Sequence, residues 1–371
     1  MSPEVRFNDL ALGTSAPAAE IEAAIARVLA SAWFILGPEL EAFEREIVSS
    51  FDCGNAIGVA NGTDAIALAL MALGVGPGDE VVTTPLTAAF TALAISEVGA
   101  KPVFADVEPE TLTLSVESAS RRITSRTRVL MPVHLYGNAA DIEGILGLAK
   151  AHGLAVVEDA CQAHGARQDG RSLGTLGRVG TFSFYPTKNL GALGDGGMVL
   201  TGDDEIAAKL RRLRNGGQSS RYRHEELGVN SRLDEIQAAV LRVKLKYLEE
   251  KNERRRELSR LYERALESTP VRPVAVRGGC TSARHLFVIR APDRDALAAH
   301  LKEGGIETLI HFPIPTHLQR AYESLGQGPG SCPDAENACG EILSLPLYPT
   351  LSNENVERVA AAIHGFYRPL A

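Results

Sequence analysis

Gly180-Thr-Phe-Ser-Phe-Tyr-Pro-Thr-Lys188-Asn-Leu-Gly-Ala-Leu-Gly-Asp-Gly-Gly197 is the stretch around which the rest of the chain is organised. Thr181, Ser183 and Tyr185 alternate with Phe182 and Phe184, the period of a short strand with one polar and one apolar face. Pro186 has no N–H to give a ladder, so it stops the strand. Lys188 follows at once in a glycine-rich turn. A lysine held against apolar sheet and backbone loses hydration, which favours the neutral amine, and a neutral amine can form a Schiff base. The plain alternative is a surface lysine in a loop. An aromatic strand end, a proline stop and several glycines gathered around one amine weigh against it.

Outward from this stretch, short apolar runs at 56–60, 80–84, 101–106, 129–133, 155–158, 181–185 and 198–201 alternate with helical patterns or turns. Val129-Leu-Met-Pro-Val133 and Ala155-Val-Val157 have no polar face, which suits strands covered on both sides. The expected fold is therefore α/β, a mostly parallel seven-stranded sheet flanked by helices, followed by a smaller C-terminal α+β domain. Two helices precede the sheet, near 18–30 and 39–51, broken by Trp33-Phe-Ile-Leu-Gly-Pro38; such an apolar arm covers a core or reaches a partner subunit. A long helix from 235 to about 268 leaves the first domain, giving an expected division into 1–240, arm and large domain, and 241–371, small domain. In the small domain, strands are expected at 286–290 and 306–310, and helices at 294–302, 333–343 and 353–365.

In sheets of this kind ligands collect beyond the carboxyl ends of the strands. After the first run comes Asn61-Gly-Thr-Asp64, a glycine turn and a helix start read as capped by Thr63, whose exposed N–H groups favour a phosphate; a plain capped helix is the alternative. In the loop 83–91, Phe90 is the one aromatic able to lie on a flat ring, unless it is core. Glu158-Asp-Ala-Cys-Gln162-Ala-His164 puts a carboxylate at the end of a buried strand, where it needs a partner. A protonated pyridine nitrogen would serve Asp159, and a ring hydroxyl would serve Gln162; the other reading of Asp159 is a loop cap. His164 and Cys161 read as packing residues. Arg211, Arg212 and Arg214 form either a solvated basic loop or arginine forks for an anion, and Asn230 precedes a helix where its amide can meet an anion. His311 and His317, six apart around two prolines, are no metal pair and read as a substrate-facing loop or as structural.

The 371 residues, 45% hydrophobic and 23% charged, have ordinary globular composition. A net charge of −8 argues against a general nucleic-acid surface. Five scattered cysteines make neither a disulfide framework nor a zinc site. With no signal-like start and no membrane-length apolar run, the expectation is a cytoplasmic protein with reduced thiols, no metal and no membrane partner.

A phosphate cradle, a carboxylate and a lysine after three strands together match pyridoxal 5′-phosphate. Lys188 takes the aldehyde, Asp159 the ring nitrogen, Gln162 the ring hydroxyl, and Gly62, Thr63 and Ser183 the phosphate. A charge-assisted hydrogen bond of the Asp159 type is worth about 1.5–3 kcal/mol, enough to hold the ring protonated.

Asn61-Gly-Thr-Asp-Ala65, Glu158-Asp-Ala-Cys-Gln-Ala-His-Gly165, Ser183-Phe-Tyr-Pro-Thr-Lys-Asn-Leu-Gly191 and Asn230-Ser-Arg-Leu-Asp-Glu-Ile-Gln-Ala238 resemble the sugar aminotransferases of the DegT–StrS family. The similarity runs from the N-terminal helix to Leu345-Pro-Leu-Tyr-Pro349, nearly the whole chain. It implies the aspartate-aminotransferase-like fold, fold type I of the pyridoxal-phosphate enzymes, and a homodimer with shared active sites. It also implies amino transfer from L-glutamate to a nucleotide-linked keto-sugar. Lys188 is then the Schiff-base lysine, Asp159 the partner of the ring nitrogen, and Asn230 a contact to the phosphate of the other subunit's cofactor. Tyr185, Arg214 and His311 carry over as substrate contacts. Two departures stand out: Ala88 where many relatives lay an aromatic on the cofactor, and Asn138 where many have Gln.

The run 188–195 and the run 230–241 are most similar to members acting at carbon 3 of dTDP-linked 3-keto-6-deoxyhexoses. The alternatives are a 4-keto nucleotide sugar or a keto-inositol as acceptor, a sugar dehydratase of the same family, or a non-catalytic regulator. Members resembling the dehydratase branch carry His where Lys188 stands.

Overall fold

A computed structural model describes residues 4–10 and 17–367. The arm is two helices, α1 (Ala18–Ser31) and α2 (Pro38–Phe51). Pro38 at the first turn of α2 needs no hydrogen-bond acceptor there. The buried Glu235 carboxylate accepts the N–H groups of Gly37 and Leu40 at 2.9 Å and of Glu39 at 2.8 Å, closing the helix start from across the chain.

The sheet follows. Its strands are β1 (Asn55–Val59), β2 (Glu80–Thr83), β3 (Lys101–Phe104), β4 (Thr127–Met131), β5 (Ala155–Asp159), β6 (Val179–Ser183) and β7 (Gly197–Thr201). They lie in the order β1-β7-β6-β5-β4-β2-β3, with β7 antiparallel to both neighbours and all other pairs parallel. Alternate residues serve opposite faces. Ile57, Val59, Val157, Val179 and Val199 pack with α3 (Gly62–Ala72) and α7 (Asp204–Leu213). Ala56, Phe182, Met198 and Leu200 pack with α2 and α8 (Glu235–Leu245) on the other side. Helices α4 (Phe90–Glu97), α5 (Val116–Arg122) and α6 (Ile142–His152) complete the layers. The seven strands thus sit where the apolar runs place them, with ends shifted by one or two residues.

The expected long helix is two: α8 ends at Leu245 and α9 (Leu248–Leu266) begins after Lys246 and Tyr247. Leu241 and Leu248 still pack under β6, whereas Leu258, Tyr262 and Leu266 belong to a separate C-terminal core. That core holds β8 (Phe287–Arg290), α10 (Arg294–Glu303), α11 (Pro333–Glu341), β9 (Ile342–Leu345) and α12 (Asn353–Tyr367), and Val5 packs into it. The strand expected at 306–310 is absent; Ile306 bridges Val5 and Leu309 bridges Ser344. Its place is taken by β9, read from sequence as the end of a helix. The run Ile342-Leu-Ser-Leu is buried at every position and pairs antiparallel with β8, which satisfies its backbone where another helical turn would not. No described helix is long and apolar enough to cross a membrane, and no cluster of His, Cys, Asp or Glu among the described residues could hold a metal ion.

Candidate active site

Strand register brings three chain segments together. Gly197 lies opposite both Val59 and Ser183, and Asp159 lies beside Thr181. The turn after β1 therefore stands next to the end of β6, which stands next to the end of β5. Packing is too close for side chains there. A Cβ on Gly62 would sit 2.7 Å from Ser183 Cβ, and one on Gly197 would sit 2.1 Å from the Asn61 carbonyl oxygen.

The first segment opens α3. Its cap is Asn61, not Thr63: Asn61 Oδ1 accepts the Asp64 N–H at 2.8 Å. Asn61 has extended backbone at the cap position and its Oδ1 reaches the N3 amide, whereas Thr63 is already inside the helix. The N–H groups of Gly62 and Thr63 have no acceptor among the described residues. With the helix dipole behind them and the Ser183 hydroxyl beside them, they form an anion cradle.

The second segment ends β5. Asp159 is buried; its Oδ2 accepts the Thr91 hydroxyl at 2.7 Å and its Oδ1 the Cys161 N–H at 3.1 Å. Gln162 is oriented by Tyr136, whose N–H donates to Oε1 at 2.8 Å, so the Nε2 amide is left to donate. Beneath them Glu158 is fully buried. It accepts from His134 Nε2 and Gly174 N at 2.8 Å and from Leu176 N and Gly177 N at 2.6 Å. Ala140 N–H donates to His134 Nδ1, which fixes Nε2 as the protonated nitrogen.

Burial works to raise the Glu158 pKa, but His134 and the amides of Gly177 and Gly174 outweigh it and hold the carboxyl below its ordinary value. A lowered folded value means that the unfolded chain binds the proton more readily. The contribution to stability is complete above the unfolded value and is lost as pH falls through the folded one. Glu158→Gln should cost about 3–5 kcal/mol at neutral pH, because one acceptor of a buried pair becomes a donor. The deficit should shrink in acid. Denaturant midpoints of both proteins at neutral and acid pH measure this, and parallel curves would contradict it.

The third segment carries Lys188. Phe182 and Phe184 anchor β6 edge-on against Phe51 and Phe43, each at 5.4 Å between ring centres. Phe184 then accepts from Ala192 N–H and donates to the Gly196 carbonyl, closing the loop. Lys188 Nζ has no hydrogen-bond or ion-pair partner among the described residues. Burial pushes its pKa down, opposed by Cys161 and Asp159. His311 lies within its field: burial and the Lys188 charge push the imidazole down to about 4, so it is neutral at physiological pH. His164, its ring tilted against those of Phe182 and Phe184, is pushed down to about 3 by burial and Lys188.

The structure thus gathers Lys188, Asp159, Gln162, Ser183, Gly62, Thr63 and His311 into one region. Tyr185, next to the lysine turn, is 52% exposed. Arg214 is not a free fork: it is buried, with Nη1 held by Glu44 at 2.5 Å and by the Gly58 carbonyl at 2.9 Å. Burying that guanidinium without such partners would be costly, so the arm helix supplies one. Asn230 is exposed and bridges Asn215. Phe90 is neither core nor sheltered, at 62% exposure. Sequence reasoning passed over Thr91, Tyr136 and the His134–Glu158 pair. Only His134 and Glu158, polar groups at the ends of strands without a polar face, carried a signal.

These groups fit pyridoxal 5′-phosphate: an unpartnered amine, a carboxylate with two donors behind it, an aimed amide and free helix N–H groups.

Residues 16–364 match the DegT/DnrJ/EryC1/StrS aminotransferase family. The chain is 47% identical over 356 residues to the "pleiotropic regulatory protein" of Geobacillus stearothermophilus, covering 95% of each. It is also 47% identical over 363 residues to the dTDP-3-amino-3,4,6-trideoxy-alpha-D-glucose transaminase of Streptomyces venezuelae, covering 98% of this chain and 96% of that protein. The solved structure of S. venezuelae DesV in complex with a ketimine intermediate superposes with a TM-score of 0.96 at 46% identity, over 100% of both chains.

Proposed function

This chain belongs to the DegT/DnrJ/EryC1/StrS aminotransferase family and is a pyridoxal-phosphate-dependent sugar aminotransferase; from that premise we propose that it moves the amino group of L-glutamate to carbon 3 of a dTDP-linked 3-keto-6-deoxyhexose. The observation that carries the reading is the convergence of the Lys188 amine, the Asp159 carboxylate and the free N–H groups of Gly62 and Thr63 at three strand ends.

When bound, pyridoxal 5′-phosphate supplies an aldehyde for amines and a ring that accepts an electron pair. In our reading Lys188 is the residue that would hold the aldehyde, and its free amine would carry a proton on Nζ; burial keeps that amine competent as a base. Asp159 would hold a proton at the ring nitrogen, with Thr91 and Cys161 N–H fixing the carboxylate plane. Gln162 would donate to the ring oxygen. Gly62, Thr63 and Ser183 would bind the phosphate, joined by Asn230 from a second copy of the chain. Tyr185 and the neutral His311 would face the sugar.

A homodimer with shared sites is supported by the exposed Trp33, Phe34 and Ile35 on the arm, an apolar run that a lone chain leaves in water. We place the protein in the cytoplasm, and read two domains whose division, expected at 240, falls within α9 between Leu248 and Leu258. Carbon 3 is supported by the transaminase relative from S. venezuelae. The regulatory name of the Geobacillus relative keeps a regulator as the second reading.

A panel of dTDP-linked 3-keto and 4-keto hexoses and a keto-inositol, each supplied with L-glutamate, tests the assignment. The expected result is a 3-amino product and stoichiometric 2-oxoglutarate. Amination at carbon 4, or of the cyclitol alone, would move the substrate; no turnover with bound cofactor would favour the regulator.

A further inference from the structure

Lys188 Nζ makes no hydrogen bond or ion pair among the described residues, yet its neighbour is tied three times. Asn189 Nδ2 donates to Asn252 Oδ1 and to the Ala283 carbonyl, each at 2.7 Å, and Asn189 Oδ1 meets His285 Nδ1 at 3.1 Å. A carbonyl can only accept, so the Ala283 contact fixes which end of the amide is nitrogen. Asn189 Oδ1 is then the acceptor and His285 Nδ1 the protonated nitrogen of a neutral ring. Burial, with Lys188 and Arg255, holds His285 well below its ordinary pKa.

The ties run on. Asn252 Nδ2 donates to the His164 carbonyl at 2.8 Å, and Arg255, one turn later on α9, donates to the carbonyls of His285 and Leu347. His285 N–H donates to the Tyr136 carbonyl, and Tyr136 N–H holds Gln162. One chain of hydrogen bonds therefore joins the turn bearing the amine to the amide read as the contact to the ring oxygen.

We propose that Asn189 is the positioning residue of Lys188: through Asn252, Ala283 and His285 it locks the turn so that the amine stays in its half-buried position and in register with Gln162. This rests on the reading of Lys188 as the reacting amine. The groups acting on that amine are Cys161 and Asp159; the Lys188 charge in turn lowers the imidazoles of His164, His285 and His311, which stay neutral. Neither Cys161 nor Asp159 bonds Asn189, so a change in the amine of Asn189→Ala reports the turn.

The test is competitive acetylation of cofactor-free protein across pH, read by peptide mass spectrometry at Lys188 and at the exposed Lys302. In the native protein Lys188 should reach half-reaction at lower pH than Lys302. In Asn189→Ala water enters the turn, and the Lys188 midpoint should rise by about one pH unit, roughly tenfold lower reactivity below it, with Lys302 unmoved. His285→Phe removes the tie from the far side and should move the profile the same way; it decides the matter if Asn189→Ala does not melt cooperatively. Profiles of folded Asn189→Ala or of His285→Phe that superpose on the native one overturn the proposal. If native Lys188 titrates like Lys302 and borohydride traps no pyridoxal 5′-phosphate on it, the reading of the amine has failed instead.

Discussion

Lys188→Ala should retain the fold and lose turnover by on the order of 10⁴-fold or more, since groups that bond directly to the reacting atoms show losses of this size. Stability should not fall with it. Lys188 Nζ gives no hydrogen bond and no ion pair to any described residue, so its deletion strands no partner. Its amine is held below the ordinary lysine pKa by burial. At pH below that lowered value, burying the charge costs the fold free energy, and the cost fades as pH rises through it. The melting temperature of Lys188→Ala should therefore equal or exceed the native one at neutral pH. Steady-state formation of 2-oxoglutarate and a thermal melt, run on the same preparation, separate the two effects. Retained turnover would remove Lys188 from the chemistry. A large drop in melting temperature would mean that the amine has a structural partner.

Asp159→Asn is the second large effect, and it arises differently. The carboxylate accepts from the Thr91 hydroxyl through one oxygen and from the Cys161 N–H through the other. An amide keeps one acceptor and turns the other into a donor. Thr91 can rotate its hydroxyl to accept, but a backbone N–H cannot, so the side chain should settle with its oxygen on Cys161. What then faces the ring nitrogen carries no charge. Turnover should drop by roughly 10²–10³-fold, the scale seen when one preorganised electrostatic partner is removed. Lys188 should remain trappable by borohydride, because the amine keeps its burial. Thr91→Val, which removes one donor and leaves the charge, should cost far less. Comparing kcat for the two variants under saturating substrates checks the order; a Thr91→Val loss equal to that of Asp159→Asn would mean orientation, not charge, is the main contribution.

Both predictions concern residues legible before any coordinates. Asp159 stands out because a charge at the end of a β-run without a polar face is costly and needs a reason to be there, and Lys188 because an aromatic strand end, a proline stop and several glycines gather around one amine. The parallel sheet was legible for a related cause: Val129-Leu-Met and Ala155-Val-Val cannot present a wet face, and only layers of helices on both sides dry them. The strand 342–345 was hidden by its place after Pro333, whose helix start masked a four-residue β-run. The cap on α3 was misassigned by two positions because Asn61 and Thr63 are both good caps, and only backbone dihedrals distinguish them. Arg214 looked like an anion fork because sequence shows a charge but not the Glu44 that neutralises it from a helix 170 residues away.

The sequence alone determined which covalent chemistry this chain is equipped for, since an amine, a carboxylate and a helix start are local facts about residue types and strand ends. Tertiary structure decided which groups hold them in place. Asn189, Thr91 and Tyr136 act through partners 26 to 96 residues distant, and burial in the folded chain lowers the Lys188 amine. Desolvation and hydrogen-bond geometry depend on what is packed alongside, and that exists only once the chain has folded.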